Sequence, residues 1–473
     1  MTPESPAPET PSPDSPAGPG CPAGPAAITA ELARFVAGHP ARVSDRACVE
    51  VKRAVLDLLG VMLAGSAEPA ARLMLDYARA QGEPVDARAT VIGGGVRLGA
   101  PLAALVNGTA GHALDLDDIG LKAGHVSTAI VPAALAVAET VEASGAELVT
   151  ALALGYEVTH RLTKVYGDNL AGPYAFGYHK PSVYAVFGAT AAASRLLGLD
   201  ARATARAFGI AASQAGGLRV NFGTMTKPMH AGNSNRTGVE AALLARSGFT
   251  ASDDALEGRY GWHEVVCRGG GELERVIGSW DAPLAIEEGM IYKAFPCCGA
   301  NHYAIDGVLH LMASEGLKGA DVEEITVAIH GPYLDDVLVY PWPRTGLEGK
   351  FSLAYNVAAA MVDGAVTMAT FDDAHLATLD AARSKVRVVA APELGRHEAR
   401  IGVRAVDGRA LERHHTSLRG SLESPFSWGD LAEKFLANCA EAVAGSAAQR
   451  AADLLATLEE QSSVRPVMDL LGK

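Results

Sequence analysis

The chain is poor in the features that mark several large function classes. It has 40 Lys+Arg against 54 Asp+Glu and a formal net charge of -14. No basic excess is available to neutralise phosphates, which argues against nucleic-acid binding. Aromatics make up only 6% of residues. Six cysteines occur (Cys21, Cys48, Cys267, Cys297, Cys298 and Cys439), and none are spaced as CxxC. That argues against zinc or a cysteine-held iron–sulfur cluster and fits reduced cytosolic thiols. No apolar run reaches membrane-spanning length, so no membrane partner is expected. Residues 1–26 are rich in Pro and acid and lack the basic start and apolar core of a secretory signal. A disordered tail over 1–26 and a cytoplasmic protein are expected.

What is present is small-residue helix. From Ala27 to about Gly248, runs of Ala, Leu and Val at helical spacing are broken by Gly, Pro and Asp. Near Gly270 the pattern changes. EEITVAIHG, KVRVVAAPEL and ARIGVRAVDGRALERHHTS alternate as strands do, and Asp407-Gly408 is a hairpin turn signal. The stretch from Trp428 is helical again. The fold expected is mainly α, with two parts. Residues 27–274 and 411–473 form a large all-helical domain, and 275–410 form a smaller inserted α+β lid.

The most informative stretch is GHALDLDDIGLKAGHVSTAIVPAALA, residues 111–136. It places His112, Asp115, Asp117, Asp118 and His125 between two apolar helical runs, where unpaired polar groups are costly. His125 precedes the helix expected from Ser127, and His179 precedes one expected from Ser182. Lys227 and His230 precede one running to Arg246. Helix N-termini carry free N–H groups and partial positive charge, so three converging ends suit a carboxylate-rich ligand. One such His is ordinarily a cap or a packing residue; the repetition carries the inference. Asp117 and Asp118 are expected to be structural caps. The DLDD run also matches the acid motif of class II terpene cyclases, but such cyclases need an aromatic-lined cavity that this composition does not offer. Lys293, Cys297, Cys298 and His302 form a further cluster in YKAFPCCGANHYAID. Cys–His nucleophilic chemistry is weighed there and set aside, because no thiol-enzyme signature surrounds it.

Seven segments, in order, resemble the MmgE/PrpD family of 2-methylcitrate dehydratase, cis-aconitate decarboxylase and iminodisuccinate epimerase. They are GHALDLDD, HVST with PAALA, GYEVTHRL, SVYAVFGATAAASRLLGL, TKPMHAGNSNRTGVEAALLARSGFTA, YKAFPCCGANHYAID and KFSLAYNVAAAMVDG. The resemblance implies a helical domain from both chain ends, an inserted lid, a cofactor-free and metal-free site between them, and a homodimer. It implies catalytic roles for Asp115, His125, His179 and Lys227. Lys293, His230, Cys298, His302 and Tyr340 are expected to bind substrate. The chain departs from the decarboxylase pattern at Ile119, where a Thr is usual, and at Cys298, where a His is usual. It also has His125-Val126-Ser127 for His-Pro-Ser. These departures point away from cis-aconitate decarboxylase itself.

The expected chemistry is cofactor-independent lyase action on a small di- or tricarboxylate. Lysines would stabilise a carbanion beside a carboxylate, and histidines would move the proton. Dehydration of a 2-methylcitrate-like hydroxy acid is the first expectation. Decarboxylation of a cis-aconitate-like acid and epimerisation of a dicarboxylate are the alternatives, and a catalytically inactive binding homologue is the reading outside enzymes.

Overall fold

The computed structural model describes residues 27–82, 87–167 and 171–472. The tail expected over 1–26 lies outside the described residues. The fold is mainly α, with 57% of residues helical and only small sheets. Among the described residues, no helix is long and apolar enough to cross a membrane.

Two helices, Ala100–Ala113 and Thr226–Arg246, carry His112, Lys227 and His230. They approach backbone to backbone because glycines face each other. A Cβ at Gly232 would lie 2.4 Å from the Leu105 carbonyl oxygen, and one at Gly108 would lie 2.8 Å from the Gly232 Cα. A larger residue at either position would push the helices apart. Around this pair pack the helices Asp45–Gly65, Val131–Val141, Gly145–Thr163 and Val186–Leu196. Ser44 accepts from the Ala47 N–H to start the first of these, and a Ser144–Glu147 capping box starts the third.

Side chains from both ends of the chain share one apolar core. Val51, Leu58 and Met62 pack with Leu431, Phe435 and Leu455. A second core lies under a four-stranded sheet. There Val322–Ile329 pairs in parallel with Val386–Ala390 and antiparallel with Ala399–Ala405. Ala399–Ala405 in turn pairs with Ala410–His415 across the Asp407-Gly408 turn, as the sequence predicts. The helices His302–Ser314 and Leu353–Asp363 supply the rest of that core.

The structure departs from the expected pattern at three places. Leu284, Ile286, Met290 and Tyr292 pack into the first core, because the chain there runs back over the helices before turning into the second. The strand Ala410–His415 belongs to the sheet, because its hairpin partner Ala399–Ala405 does. The first half is also not wholly helical: Ala89–Thr90 and Arg97–Leu98 form a short antiparallel ladder.

Candidate active site

The site is built on the loop that leaves the helix Ala100–Ala113. Asp115 has φ 53°, and Leu121 and Lys122 have φ 51° and 57°. Three of the six non-glycine residues with positive φ among the described residues thus fall within eight positions. Each costs about 1–2 kcal/mol, so the surroundings must hold this loop in place.

Its anchor is Asp115, which is 2% exposed. One carboxylate oxygen accepts from Lys227 Nζ at 2.8 Å, and the other accepts from Lys293 Nζ. The Lys293 ammonium also donates to the Asp115 carbonyl at 2.8 Å. Burial opposes ionisation of Asp115, but the two ammonium groups outweigh it and hold its carboxyl well below the usual range. A carboxylate held so low carries no proton at neutral pH. Asp115 therefore fixes two cations as a carboxylate.

Asp117 is not the structural cap that the sequence suggests. It accepts from His112 Nδ1 at 3.0 Å and from His125 Nδ1 at 3.0 Å. Lys227 Nζ lies 2.9 Å from His112 Nε2 and must donate to it, which leaves the His112 proton on Nδ1. The order Lys227, His112, Asp117, His125 is therefore a continuous hydrogen-bond relay. It ends on His125 Nε2, which is bare in this tautomer and lies 3.5 Å from the Asp115 carboxylate. Burial pushes His125 down to about 3, against the pull of Asp117, so the imidazole is neutral in the free site. Asp115 and Asp117 both turn toward His125, from a loop that bends at Asp115. The crowding of acids and histidines between two apolar helical runs was the signal for Asp117, and His112 then follows as its partner.

Asp118 points elsewhere and does cap. It accepts from the Ser127 N–H at 3.2 Å and from the Ser127 hydroxyl, which also meets the Tyr156 hydroxyl at 2.7 Å. Burial raises its carboxyl to about 8. A carboxyl raised on folding stabilises most below its unfolded value, and that contribution is lost as pH rises through about 8. Urea midpoints at pH 6 and pH 9 check this. Wild-type protein should lose stability between them, and Asp118→Asn should lose less.

The other expected residues are placed as follows. Ser127–Ala129 is a short 3-10 turn ahead of Val131–Val141, and Pro181–Ala185 is a π-turn ahead of Val186–Leu196. Lys227 and His230 lie inside the first turns of Thr226–Arg246, not before it. His179 stacks 5.6 Å from His112, and its Nδ1 lies 3.2 Å from His230 Nδ1. Burial and the neighbouring Lys227 lower His179 well below the usual histidine value.

His125, His179, Lys227, Lys293, Cys298 and His302 all line one cavity of about 460 Å³. His230 does not line it and backs His179 instead. Tyr340 is not in its wall either. Its hydroxyl donates to the Phe222 carbonyl at 2.8 Å, and Phe222 packs edge-on against His179. Burial raises the Cys298 thiol to about 11, so it is not a ready nucleophile. His302 Nε2 donates to the Cys297 carbonyl. The two departures noted in the sequence sit on one wall, since a Cβ at Gly299 would lie 2.5 Å from the Ile119 side chain.

His112, Asp117 and His125 bring three ligand-type atoms within 4.8 Å of one another. Those atoms already hydrogen-bond one another, and the Lys227 ammonium contacts His112 directly. That positive charge works against a bound cation.

The chain matches known proteins along most of its length. Residues 30–273 match the MmgE/PrpD N-terminal domain, and residues 295–460 match the MmgE/PrpD C-terminal domain. The chain is 29% identical to cis-aconitate decarboxylase of Homo sapiens over 451 residues, covering 92% of this chain and 91% of that protein. It is 30% identical to cis-aconitate decarboxylase of Mus musculus over 410 residues, covering 82% of each. It is 28% identical to the cis-aconitate decarboxylase-like protein oryM of Aspergillus oryzae, over 94% of this chain and 97% of that one. With both domain models matched in order around this site, the chain belongs to the MmgE/PrpD family.

Proposed function

We propose that this chain is a lyase that removes carbon dioxide from a small unsaturated polycarboxylate of the cis-aconitate type. The observation that carries the reading is the pair of buried ammonium groups, Lys227 and Lys293, fixed by one carboxylate at the floor of a cavity that histidines also line. Likeness to cis-aconitate decarboxylases over most of the chain supports it.

In such a substrate the departing carboxylate is attached to a carbon next to the double bond. When the C–C bond breaks, its electron pair forms a new double bond to the nearer alkene carbon, and the old π pair moves to the farther one. Charge collects on the far alkene carbon and its carboxylate. Fixed cations at that carboxylate stabilise the developing charge without reorganising, and Lys227 and Lys293 are such cations. A proton then closes the reaction at the carbon beside that carboxylate. The anionic substrate favours the imidazolium form of His125, which is held between Asp115 and Asp117 and then delivers the proton. His179, backed by His230, shapes the opposite wall.

Dehydration of a 2-methylcitrate-like acid, the first expectation from the sequence, now takes second place, because the relatives that match over most of the chain are named cis-aconitate decarboxylases. The Ile119–Cys298 wall favours an apolar substituent on part of the substrate, so an analogue carrying methyl in place of one carboxylate is a second candidate. A second copy of the chain is the proposed partner for the exposed Leu73, Tyr77, Met225 and Met229, in line with the family resemblance.

Binding is the first check. Millimolar cis-aconitate should raise the melting temperature in a concentration-dependent way, with about 2.7 kcal/mol of stabilisation at a hundredfold excess over Kd. Acetate at the same concentration should not. Equal responses to both would remove the support for a polycarboxylate site.

A further inference from the structure

Resting on that reading, we infer that Lys350 and Lys434 are positioning residues. Each clamps a backbone carbonyl next to Asp115 and so holds the left-handed turn that presents its carboxylate to Lys227 and Lys293.

Three consecutive carbonyls at this turn each receive a lysine. Lys350 Nζ donates to the Leu114 carbonyl at 2.8 Å, Lys293 Nζ to that of Asp115 at 2.8 Å, and Lys434 Nζ to that of Leu116 at 3.1 Å. The three lysines come from distant parts of the chain. Lys293 lies between Tyr292 of the first core and Phe295 of the second, Lys350 follows the short helix Gly346–Gly349, and Lys434 lies on the helix Trp428–Cys439. The Leu114 carbonyl is at the C-cap of the helix Ala100–Ala113, where carbonyls lack intrahelical donors and carry partial negative charge, and those of Asp115 and Leu116 follow in the buried loop. Ammonium groups satisfy both needs at once. They also pin the backbone on either side of Asp115, whose φ of 53° lies in the left-handed region.

Lys350 is well placed for this and is costly to keep. It is 4% exposed, and its ammonium bonds only carbonyls, those of Leu114 and Pro296 at 2.8 and 3.0 Å. Its own carbonyl accepts from the Cys298 N–H and from the Asn301 side-chain amide. One residue thus ties the Cys298 turn, the Pro296 carbonyl and the Asp115 loop together. The groups around its ammonium are Asp115, Glu68, Cys297 and Lys293, with the Phe371 ring 4.4 Å away. Burial lowers it to about 8, the behaviour of an ammonium without a direct carboxylate partner. Lys434 instead pairs with Asp57 at 2.7 Å, which locks the helices Trp428–Cys439 and Asp45–Gly65 onto the same loop.

The test uses full-length Lys350→Met, Lys434→Met and Lys434→Arg, with crystal structures and steady-state kinetics on cis-aconitate. In the Met variants Asp115 should leave the left-handed region. There kcat should fall about 10²-fold, the loss typical of a 1 Å misplacement, with KM nearly unchanged. Lys434→Arg should restore kcat, because a guanidinium still reaches both Asp57 and the Leu116 carbonyl. If Lys350→Met does not fold, the Lys434 pair decides alone. Asp115 unmoved in the Met variants, or moved with kcat unchanged, overturns the inference. If wild-type protein does not decarboxylate cis-aconitate, the functional reading fails, and the conformation of Asp115 in the variants still decides the clamp.

Discussion

Asp115→Asn should lower turnover by about 10²–10³-fold, the scale of losing one preorganised charge contact in a water-excluded site. It should also cost about 3–5 kcal/mol of stability, because removing one partner leaves buried charge uncompensated. Lys227 and Lys293 would then face each other across a neutral amide, with side chains 5% and 0% exposed. The loss has a pH signature. The Asp115 carboxyl is depressed in the folded state, so its contribution is complete above the ordinary carboxylate value of about 4 and disappears as pH falls through the lower folded value. Urea unfolding of wild type between pH 6 and pH 3 should show that slope, and Asp115→Asn should show less of it. Equal midpoints for the two proteins at pH 7 would mean that Asp115 is not the anchor described.

His125→Ala should lower kcat by about 10²–10⁴-fold, the usual range for losing a positioned proton-transfer group. Its effect should fall on kcat more than on KM, since His125 acts on the carbanion and not on the bound carboxylates. Asp117→Asn should reproduce part of that loss. An amide accepts from only one side, so it cannot hold His112 and His125 in one tautomer pair. Double-mutant kinetics check the link: once His125 is Ala, replacing Asp117 should cost little more. Full additivity of the two losses would separate Asp117 from the proton relay.

Much of this site was legible because the costly residues stand out against an Ala-rich background. Asp115, His125, His179, Lys227 and Lys293 are polar groups in apolar surroundings, and the structure gathers them around one cavity. Asp117 was expected to be a cap and His112 was given no role, because a cap and a relay member use the same residue types and only the fold tells them apart. Tyr340 failed for the opposite reason. Spacing along the chain cannot say whether a tyrosine faces a cavity or buttresses Phe222 behind it. The hairpin at Asp407-Gly408 was readable because turn chemistry is local. The placement of residues 284–292 in the first core was not, because it depends on where a chain without regular secondary structure docks. The clamp of Lys350 and Lys434 on the Asp115 turn was also invisible. A carbonyl has no sequence signature, and the donors lie 236 and 318 residues away from their acceptors.

The central claim is that the cations held by Asp115 stabilise a carbanion left by departing carbon dioxide and that a neighbouring histidine quenches it. Proton NMR of cis-aconitate incubated with the enzyme in deuterated water, with headspace carbon dioxide measured in parallel, tests this most directly. The account predicts one carbon dioxide released per substrate consumed. It also predicts a five-carbon unsaturated dicarboxylate carrying a single deuterium beside a carboxylate, with both products strongly reduced in Asp115→Asn and His125→Ala. A hydroxy acid formed without loss of carbon, or deuterium exchanged into unchanged substrate with no carbon dioxide, would contradict it.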